Sequence, residues 1–232
     1  MREKSKSGIP RKSFHFNHTA GKAYTQVILQ SIRQALWQEW SVSMKVVGIN
    51  GSPRANGNTS IIIKTVFAEL EKEGIETELI QLGGSVIPGC KDCGACVSTR
   101  NGRCIMDHDV INEIITKSAQ ADGIILGSPL YYAGITPEMK AFIERVGRVC
   151  AANNNFFKHK LGAAIMPVRR GGAIYAFDTM NHFLHYMQMY IVGARYWNMV
   201  YEPGAVERDD EGIENMRVLG ENMAWLLKKV TA

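Results

Sequence analysis

The sequence of 232 residues contains no long apolar run, and this absence excludes a class of proteins. A membrane-spanning helix needs roughly 18 consecutive apolar residues, and no stretch approaches that length. The basic start, MREKSKSGIPRKSF, continues into polar residues and so lacks the apolar segment of a secretory signal. We therefore expect a soluble, cytoplasmic protein with no membrane partner.

The residue patterns of several common enzyme classes are also missing. The sequence shows no Ser-His-Asp arrangement, no H-E-x-x-H motif and no carboxylate pair suited to acid-base catalysis. Its first glycine-containing loop has neither the Walker Gly-Lys-Ser/Thr sequence nor G-x-G-x-x-G, which disfavours nucleoside triphosphate and dinucleotide binding. No catalytic side chain is predicted.

Excess charge is confined to the start of the chain. Residues 1–43 carry seven of the 27 Lys and Arg residues and two of the 22 Asp and Glu residues, so the net charge of +5 belongs to them. Nucleic-acid binding by the rest of the chain is therefore not predicted. Apolar residues from Tyr24 to Trp40 fit an amphipathic helix, and a mis-assigned start upstream of Met44 fits equally well. We predict a basic N-terminal extension over residues 1–43 and one folded domain over residues 44–232.

From Met44 onward, short β-rich segments alternate with longer amphipathic ones. The predicted strands are 45–50, 76–82, 123–128, 161–168 and 195–201. The predicted helices are 59–73, 107 or 109 to 120, 137–148, 173–191 and 211–229. This alternation indicates βαβ crossovers and thus an α/β fold, a doubly wound five-stranded parallel sheet with helices on both faces. Such sheets bind ligands beyond the carboxyl ends of their strands, so the loops there should carry the chemistry.

The loop after the first predicted strand, GSPRANGNTS, has the residues of an anion site. It combines hydroxyl and amide donors with a charged guanidinium, and the next helix presents its positive N-terminus to them. The donors are the side chains of Ser52, Arg54, Asn58, Thr59 and Ser60. An Asn-Gly turn followed by an ordinary Thr helix cap is the alternative interpretation.

Four of the five cysteines lie in one stretch, GCKDCGACVSTRNGRC, with the spacing C-x2-C-x2-C-x7-C. They are Cys90, Cys93, Cys96 and Cys104, within a loop over residues 88–106. A zinc site usually takes two C-x2-C pairs set well apart, whereas consecutive x2 spacings are those of a ferredoxin-type run, which can hold three corners of an iron-sulfur cubane. The longer spacing before Cys104 departs from that run. Unligated thiols, zinc and a disulfide therefore stay open as alternatives. Cys150 stands alone and is interpreted as a packing residue.

The segment GINGSPRANGNTS resembles the opening of the NADPH-dependent FMN reductase family, which has a flavodoxin-like fold, and the resemblance extends over roughly residues 44–230. It implies that FMN is the cofactor and that the five donors of the first loop hold its phosphate. It also implies that the loop SPLYYAGITPEMK lies along the isoalloxazine and that PVRRGGA faces its pyrimidine edge. The residues so implied are Pro129, Leu130, Tyr131, Tyr132, Gly134, Arg169, Arg170, Gly171 and Gly172. From the residues alone, the tyrosines could equally be packing residues and the arginines a solvated turn, and the inward-pointing arginine cannot be chosen.

A subgroup of this family, the iron-sulfur flavoproteins, carries a similar compact cysteine motif for a [4Fe-4S] cluster that exchanges electrons with FMN. The resemblance implies that the four clustered cysteines are its ligands and that the flavin carries the chemistry, which fits the absence of catalytic side chains. We therefore predict an FMN-dependent oxidoreductase of the iron-sulfur flavoprotein type. It would move electrons between a reduced carrier, such as ferredoxin, and an acceptor.

Two alternatives remain at this point. One is a cluster-free NAD(P)H-dependent reductase of FMN, quinones or nitro or azo compounds, and the other is a non-catalytic flavin-binding redox sensor. Because family members commonly form dimers or tetramers, we also expect a homodimer or homotetramer.

Overall fold

A parallel sheet of five strands lies at the centre of the computed structural model, which describes residues 44–195 and 197–230. The strands, numbered in chain order, are β1 (Lys45–Asn50), β2 (Glu76–Gln81), β3 (Gly123–Gly127), β4 (Leu161–Ile165), β5 (Pro167–Val168), β6 (Tyr190–Ile191) and β7 (Asn198–Met199). The helices are α1 (Asn58–Lys72), α2 (Ala95–Thr99), α3 (Ile111–Gln120), α4 (Pro137–Ala152), α5 (Ile174–Tyr186) and α6 (Asp210–Val230), with a 3-10 turn at Ala205–Arg208. None of these described helices is long and apolar enough to cross a membrane.

The central sheet has the strand order β2-β1-β3-β4-β6, and every neighbouring pair is parallel. The chain passes from β1 outward to β2 and then crosses to β3 on the other side of β1, so its winding direction reverses between β1 and β3. Such a reversal opens a crevice at the carboxyl ends of the two strands, where open α/β sheets bind ligands. The predicted flavodoxin-like fold is confirmed by this order and by the helices on both faces.

The inner strands are mostly apolar and buried because helices cover both faces of the sheet. Strands β3 and β4 are buried at every residue, and β1 is buried from its second residue onward. Helices α1 and α6 pack on one face, and α3, α4 and α5 pack on the other. The faces of the sheet are thus used for the core, and the loops at the strand ends are left for a ligand.

The predicted helix over residues 173–191 is wrong at its carboxyl end. Helix α5 stops at Tyr186, since Gln188 takes a left-handed backbone conformation with φ 58° and turns the chain back. The Tyr190 N–H then donates to Lys160 O at 2.9 Å, which makes β6 the fifth strand of the sheet. Apolar residues continue through this turn, so the sequence pattern alone does not reveal the break.

The predicted fifth strand over residues 195–201 is also wrong, because β6 takes its place. Among the described residues of this range, Asn198–Met199 forms a strand, and it pairs with β5 in a separate two-stranded sheet. This second sheet forms because the predicted strand 161–168 divides at Met166 into β4 and β5. The predicted N-terminal extension, residues 1–43, lies outside the described residues, and the division at residue 44 stays a prediction.

Candidate functional site

A cleft opens at the carboxyl ends of β1, β3 and β5, beside the point where the winding reverses. Eight of the residues predicted to bind flavin line it: Ser52, Arg54, Asn58, Thr59, Pro129, Leu130, Tyr131 and Arg169. Six predicted residues do not line it: Ser60, Tyr132, Gly134, Arg170, Gly171 and Gly172. Three sequence-distant loops therefore meet at one cleft, as the fold requires.

The N-terminus of α1 opens into this cleft without a side-chain cap. Among the described residues, no acceptor is present for the backbone N–H groups of Asn58, Thr59 and Ser60, and the first turn has no acidic side chain. Uncapped N–H groups and the positive end of the helix dipole favour an anion. Arg54 on the same wall adds a full positive charge. This end of the cleft therefore favours an anion.

Two donors predicted for the phosphate are used differently from the prediction. The Ser60 hydroxyl is buried and donates to Gly57 O at 2.8 Å, so it supports the loop from inside. The Asn58 side chain donates to Glu202 O at 2.9 Å and accepts from Val206 N at 3.4 Å. Of the two, only Asn58 lines the cleft, where it offers a ligand its backbone N–H group.

A polar network behind the first loop sets its shape. Asn50 Nδ2 donates to Gln81 Oε1 at 2.7 Å, and Gln81 Nε2 donates to Ser52 O at 2.7 Å. Ser52 N donates back to Asn50 Oδ1 at 3.1 Å. The Ser52 Oγ atom accepts from Arg54 N at 3.2 Å, which leaves the hydroxyl proton free for a ligand. Asn50 and Gln81 were missed by the sequence reasoning, although both are polar residues that end neighbouring strands.

The loop after β3 is tied directly to the first loop. Gly51 N donates to Gly127 O at 2.7 Å, and the Thr136 hydroxyl donates to Gly51 O at 2.8 Å. Thr136 also caps α4 by accepting from Met139 N at 3.3 Å, which confirms the predicted helix start. The ligand-facing loops of β1 and β3 are therefore held as one unit.

The paired tyrosines of that loop separate. Tyr131 and Gly134 exchange two backbone hydrogen bonds of 2.9 Å across a two-residue turn. Tyr132 and Ala133 occupy the turn with φ values of 47° and 61°, which points the Tyr132 ring fully into solvent. Tyr131 lines the cleft, and Gly134 serves the turn. Of the two tyrosines that the resemblance assigns to the isoalloxazine, Tyr131 lines the cleft and Tyr132 does not.

The two arginines after β5 separate in the same way. Arg169 lines the cleft, whereas Arg170 and the following glycines lie outside it. Gly172 has a φ of 80°, so its part in the loop is a backbone turn that other residues adopt at a cost. The sequence did not show which arginine points inward, and in the structure Arg169 is the one that lines the cleft.

A further wall of the cleft comes from residues 200–203, which the sequence reasoning did not assign to the site. The Val200 N–H donates to Val168 O at 2.8 Å, so the two-stranded sheet carries this segment to the cleft. The Asn58 side chain holds it from the other side through Glu202 O. Because residues 195–201 were predicted as a strand of the main sheet, this wall was not foreseen.

The cysteine segment follows β2 and lies along α4. Cys90 N donates to Glu144 Oε2 at 3.3 Å, and Gly102 N donates to Asn153 Oδ1 at 2.9 Å. Cys104 is fixed by Asn112, whose amide accepts from Cys104 N at 2.8 Å and donates to Cys104 O at 2.9 Å. All five cysteines are free thiols in the structure. The segment is therefore ordered by its backbone contacts, without a disulfide.

Two of the clustered cysteines affect the pKa of a third. Burial raises the pKa of Cys96, the positive charge of Arg148 lowers it, and Cys90 and Cys104 raise it further. In the described residues, no three His, Cys, Asp or Glu side chains stand close enough to hold a metal ion. This gives the zinc alternative no support. A four-iron cubane bonds each thiolate to a different iron, so its ligands stand further apart, and the free thiols suit it chemically.

The reactivity of the cysteines should follow their burial. Cys150 is fully buried, and burial raises its pKa to about 11, whereas Cys93 is exposed. We expect iodoacetamide at pH 8 to label Cys93 in protein freed of metal and to leave Cys150 unlabelled, because only the thiolate reacts. Mass spectrometry of peptides measures this, with denatured protein as the control in which both react. Equal labelling of the two in the folded protein would contradict the packing assignment of Cys150.

Comparisons with known proteins agree with this geometry. The family described as NADPH-dependent FMN reductase matches residues 44–203. An iron-sulfur flavoprotein of Methanocaldococcus jannaschii is 33% identical over 196 residues, covering 81% of this chain and 99% of that protein. An iron-sulfur flavoprotein of Methanosarcina thermophila is 29% identical over 192 residues, covering 81% and 97%. A solved flavodoxin from the domain Archaea shares the fold, with a TM-score of 0.53 at 16% identity over 80% of this chain and 99% of that one.

Proposed function

This chain belongs to the NADPH-dependent FMN reductase family and is an FMN-dependent oxidoreductase, and from that premise we propose that it works as an iron-sulfur flavoprotein. It would move electrons between a reduced carrier and an acceptor through FMN and a [4Fe-4S] cluster. The observation that carries the proposal is the position of α4. The N-cap of this helix secures the loops of the FMN cleft, and its middle turns hold the cysteine segment.

The phosphate of FMN would bind at the N-terminus of α1. The free N–H groups of Asn58 and Thr59 would supply hydrogen bonds, the Arg54 guanidinium charge and the Ser52 hydroxyl a further donor. Anions at uncapped helix N-termini are stabilised by the N–H groups and by the helix dipole together. The isoalloxazine would extend from there along Pro129, Leu130 and Tyr131, with Arg169 as a donor at its polar edge.

When bound, FMN supplies hydride acceptance and one-electron transfer, and the residues of this chain supply binding, orientation and electrostatic tuning. The Asn50, Gln81 and Ser52 network keeps the phosphate loop in place before the cofactor arrives. Tyr131 and the chain at residues 200–203 form further walls of the cleft, against which the cofactor would lie. No side chain of the cleft is required to act as an acid or base.

Arg54→Ala is expected to weaken FMN binding tenfold or more, because a charge-assisted contact is worth about 1.5–3 kcal/mol. Titration of the apoprotein with FMN measures the change. Riboflavin, which lacks the phosphate, should bind the variant and the wild type equally. Arg217→Ala, which removes an exposed arginine paired with Glu214 outside the cleft, serves as the charge control. Unchanged FMN affinity, or an equal loss for riboflavin, would contradict the phosphate assignment.

The ligands of the cluster would be Cys90, Cys93, Cys96 and Cys104. Their support is the spacing, the free state of all four thiols and the effect of Cys90 and Cys104 on the pKa of Cys96. A second candidate is the cluster-free NAD(P)H-dependent reductase, which is favoured by the exposure of Cys93. In that case the segment would respond to oxidants without holding iron.

The electron carriers, the assembly state and the cytoplasmic location also belong to the proposal. We propose ferredoxin or a similar protein as donor, NAD(P)H as a possible reductant and a homodimer or homotetramer as the assembly. Anaerobic turnover with reduced ferredoxin, NADH and NADPH in parallel tests the carriers. Faster flavin reduction by ferredoxin supports the first candidate, and faster reduction by a nicotinamide supports the second. Reduction by none of the three would indicate a redox sensor and sink the proposal.

A further inference from the structure

One arginine joins both ends of the cysteine segment from within the core. Arg145 of α4 is 1% exposed and forms a buried ion pair with Asp109, whose side chain is 4% exposed. Its Nη2 atom donates to Met106 O at 2.7 Å, and its Nη1 atom reaches Pro88 O at 3.5 Å. Pro88 stands two residues before Cys90, and Met106 stands two residues after Cys104. The guanidinium therefore fixes where the segment begins and where it ends.

The same guanidinium lies close to the fourth cysteine in the chain, because its Nη2 atom donates to Met106 O, two residues after Cys104. In the described residues, Arg145 Nε is buried and has no acceptor. A buried N–H group without an acceptor is unfavourable, and a charged guanidinium is especially costly to leave so. The fold thus keeps one unused donor on the guanidinium that joins the two ends of the cysteine segment.

We propose that Arg145 is a positioning residue for the iron-sulfur cluster: it fixes Cys104 for iron binding, and it supplies positive charge and a spare N–H donor to the sulfur atoms gathered there. This inference rests on the proposed function. Hydrogen bonds to the sulfur atoms and the net charge nearby set the reduction potential of such clusters. Arg145 should therefore raise the potential, and Asp109, as the buried negative partner, should lower it.

Two substitutions with opposite expected effects test the inference in the anaerobically reconstituted full-length protein. Arg145→Lys keeps a charge but loses the planar fork, so it should lower both the iron content and the midpoint potential of the cluster that forms. Asp109→Asn removes the compensating negative charge and should raise the potential. Arg217→Gln is the control, because Arg217 lies on α6, is half-exposed and is paired with Glu214, so its loss should leave the potential unchanged. Redox titration monitored by electron paramagnetic resonance measures the potential.

The outcomes separate this inference from the proposed function. Wild-type protein that takes up no iron overturns the proposed function and this inference with it. If the wild-type protein holds a cluster and its midpoint potential is the same in the Arg145→Lys and Asp109→Asn variants, this inference alone is overturned. A purely structural role would alter the iron content but leave the potential unchanged. Should Arg145→Lys hold no cluster, Asp109→Asn decides: an upward shift supports the inference, and no shift overturns it.

Discussion

Replacing Gly83 with alanine is expected to weaken FMN binding about a hundredfold, a loss of about 2.8 kcal/mol. Gly83 backs the phosphate loop so closely that an added Cβ would lie 2.3 Å from Ser52 C and 2.4 Å from both Ser52 O and Gly51 O. These neighbours are backbone atoms, which cannot rotate aside as a side chain can. The loop must therefore move, and the free N–H groups and Arg54 move with it.

The expected loss is large because the position of the loop is fixed from several sides. Gln81 Nε2 donates to both Ser52 O and Gly83 O, so a shift of either chain breaks this bridge. Gly193→Ala is the matched control, because a Cβ there meets no atom within 4 Å. Titration of both apoproteins with FMN, with a melting curve to show that each is folded, measures the effect. Affinity of Gly83→Ala within twofold of the wild type would contradict the placement of the phosphate.

Cys104→Ala is expected to abolish the four-iron cluster while FMN stays bound. The backbone of Cys104 is held by two hydrogen bonds to the Asn112 side-chain amide, so no other cysteine of the segment can take its place without breaking them. Cys104 does not line the FMN cleft, which is why the flavin should remain. Iron, acid-labile sulfide and FMN per chain are the quantities to measure.

Cys150→Ala is the control for that substitution. Cys150 lies near the end of α4, is fully buried, and has its thiol within 3.2 Å of Asn155 Oδ1. Its substitution should leave the iron content unchanged. The variant costs some stability because it removes a buried sulfur atom. Four irons per chain in Cys104→Ala, or loss of iron in Cys150→Ala only, would show that the ligand set has been misassigned.

Local features of the sequence were sufficient for the fold and for much of the cleft. The apolar strand segments and the Thr136-Pro137-Glu138 helix start depend on neighbouring residues, and both were predicted within a few residues of their observed positions. The loop after β1 was predicted as an anion site because glycine, donors and a helix start follow one another along the chain. Eight of the fourteen residues predicted to bind flavin, taken over all three loops, line the cleft.

The features that the sequence did not reveal depend on residues far apart in the chain. The Asn58 side chain donates to Glu202 O, 144 residues further along the chain. No neighbouring residue indicates that this side chain is unavailable to a phosphate. The tight fit of Gly83 exists only because β1 and β2 are neighbours in the sheet. The left-handed Gln188 ends α5 although the apolar pattern continues beyond it. Because the helix was predicted to run through residue 191, the fifth strand was predicted too late in the chain. Tertiary contacts decided each of these cases.

The most direct test of an iron-sulfur flavoprotein is the composition of the full-length protein purified without oxygen. Iron, acid-labile sulfide and FMN are measured per chain on one sample, together with its absorption spectrum. About four irons and four sulfides with one FMN per chain are expected, because a [4Fe-4S] cluster on four cysteines has that content. Bound FMN without iron or sulfide, even after anaerobic reconstitution with both, would contradict the cluster and leave the cluster-free reductase.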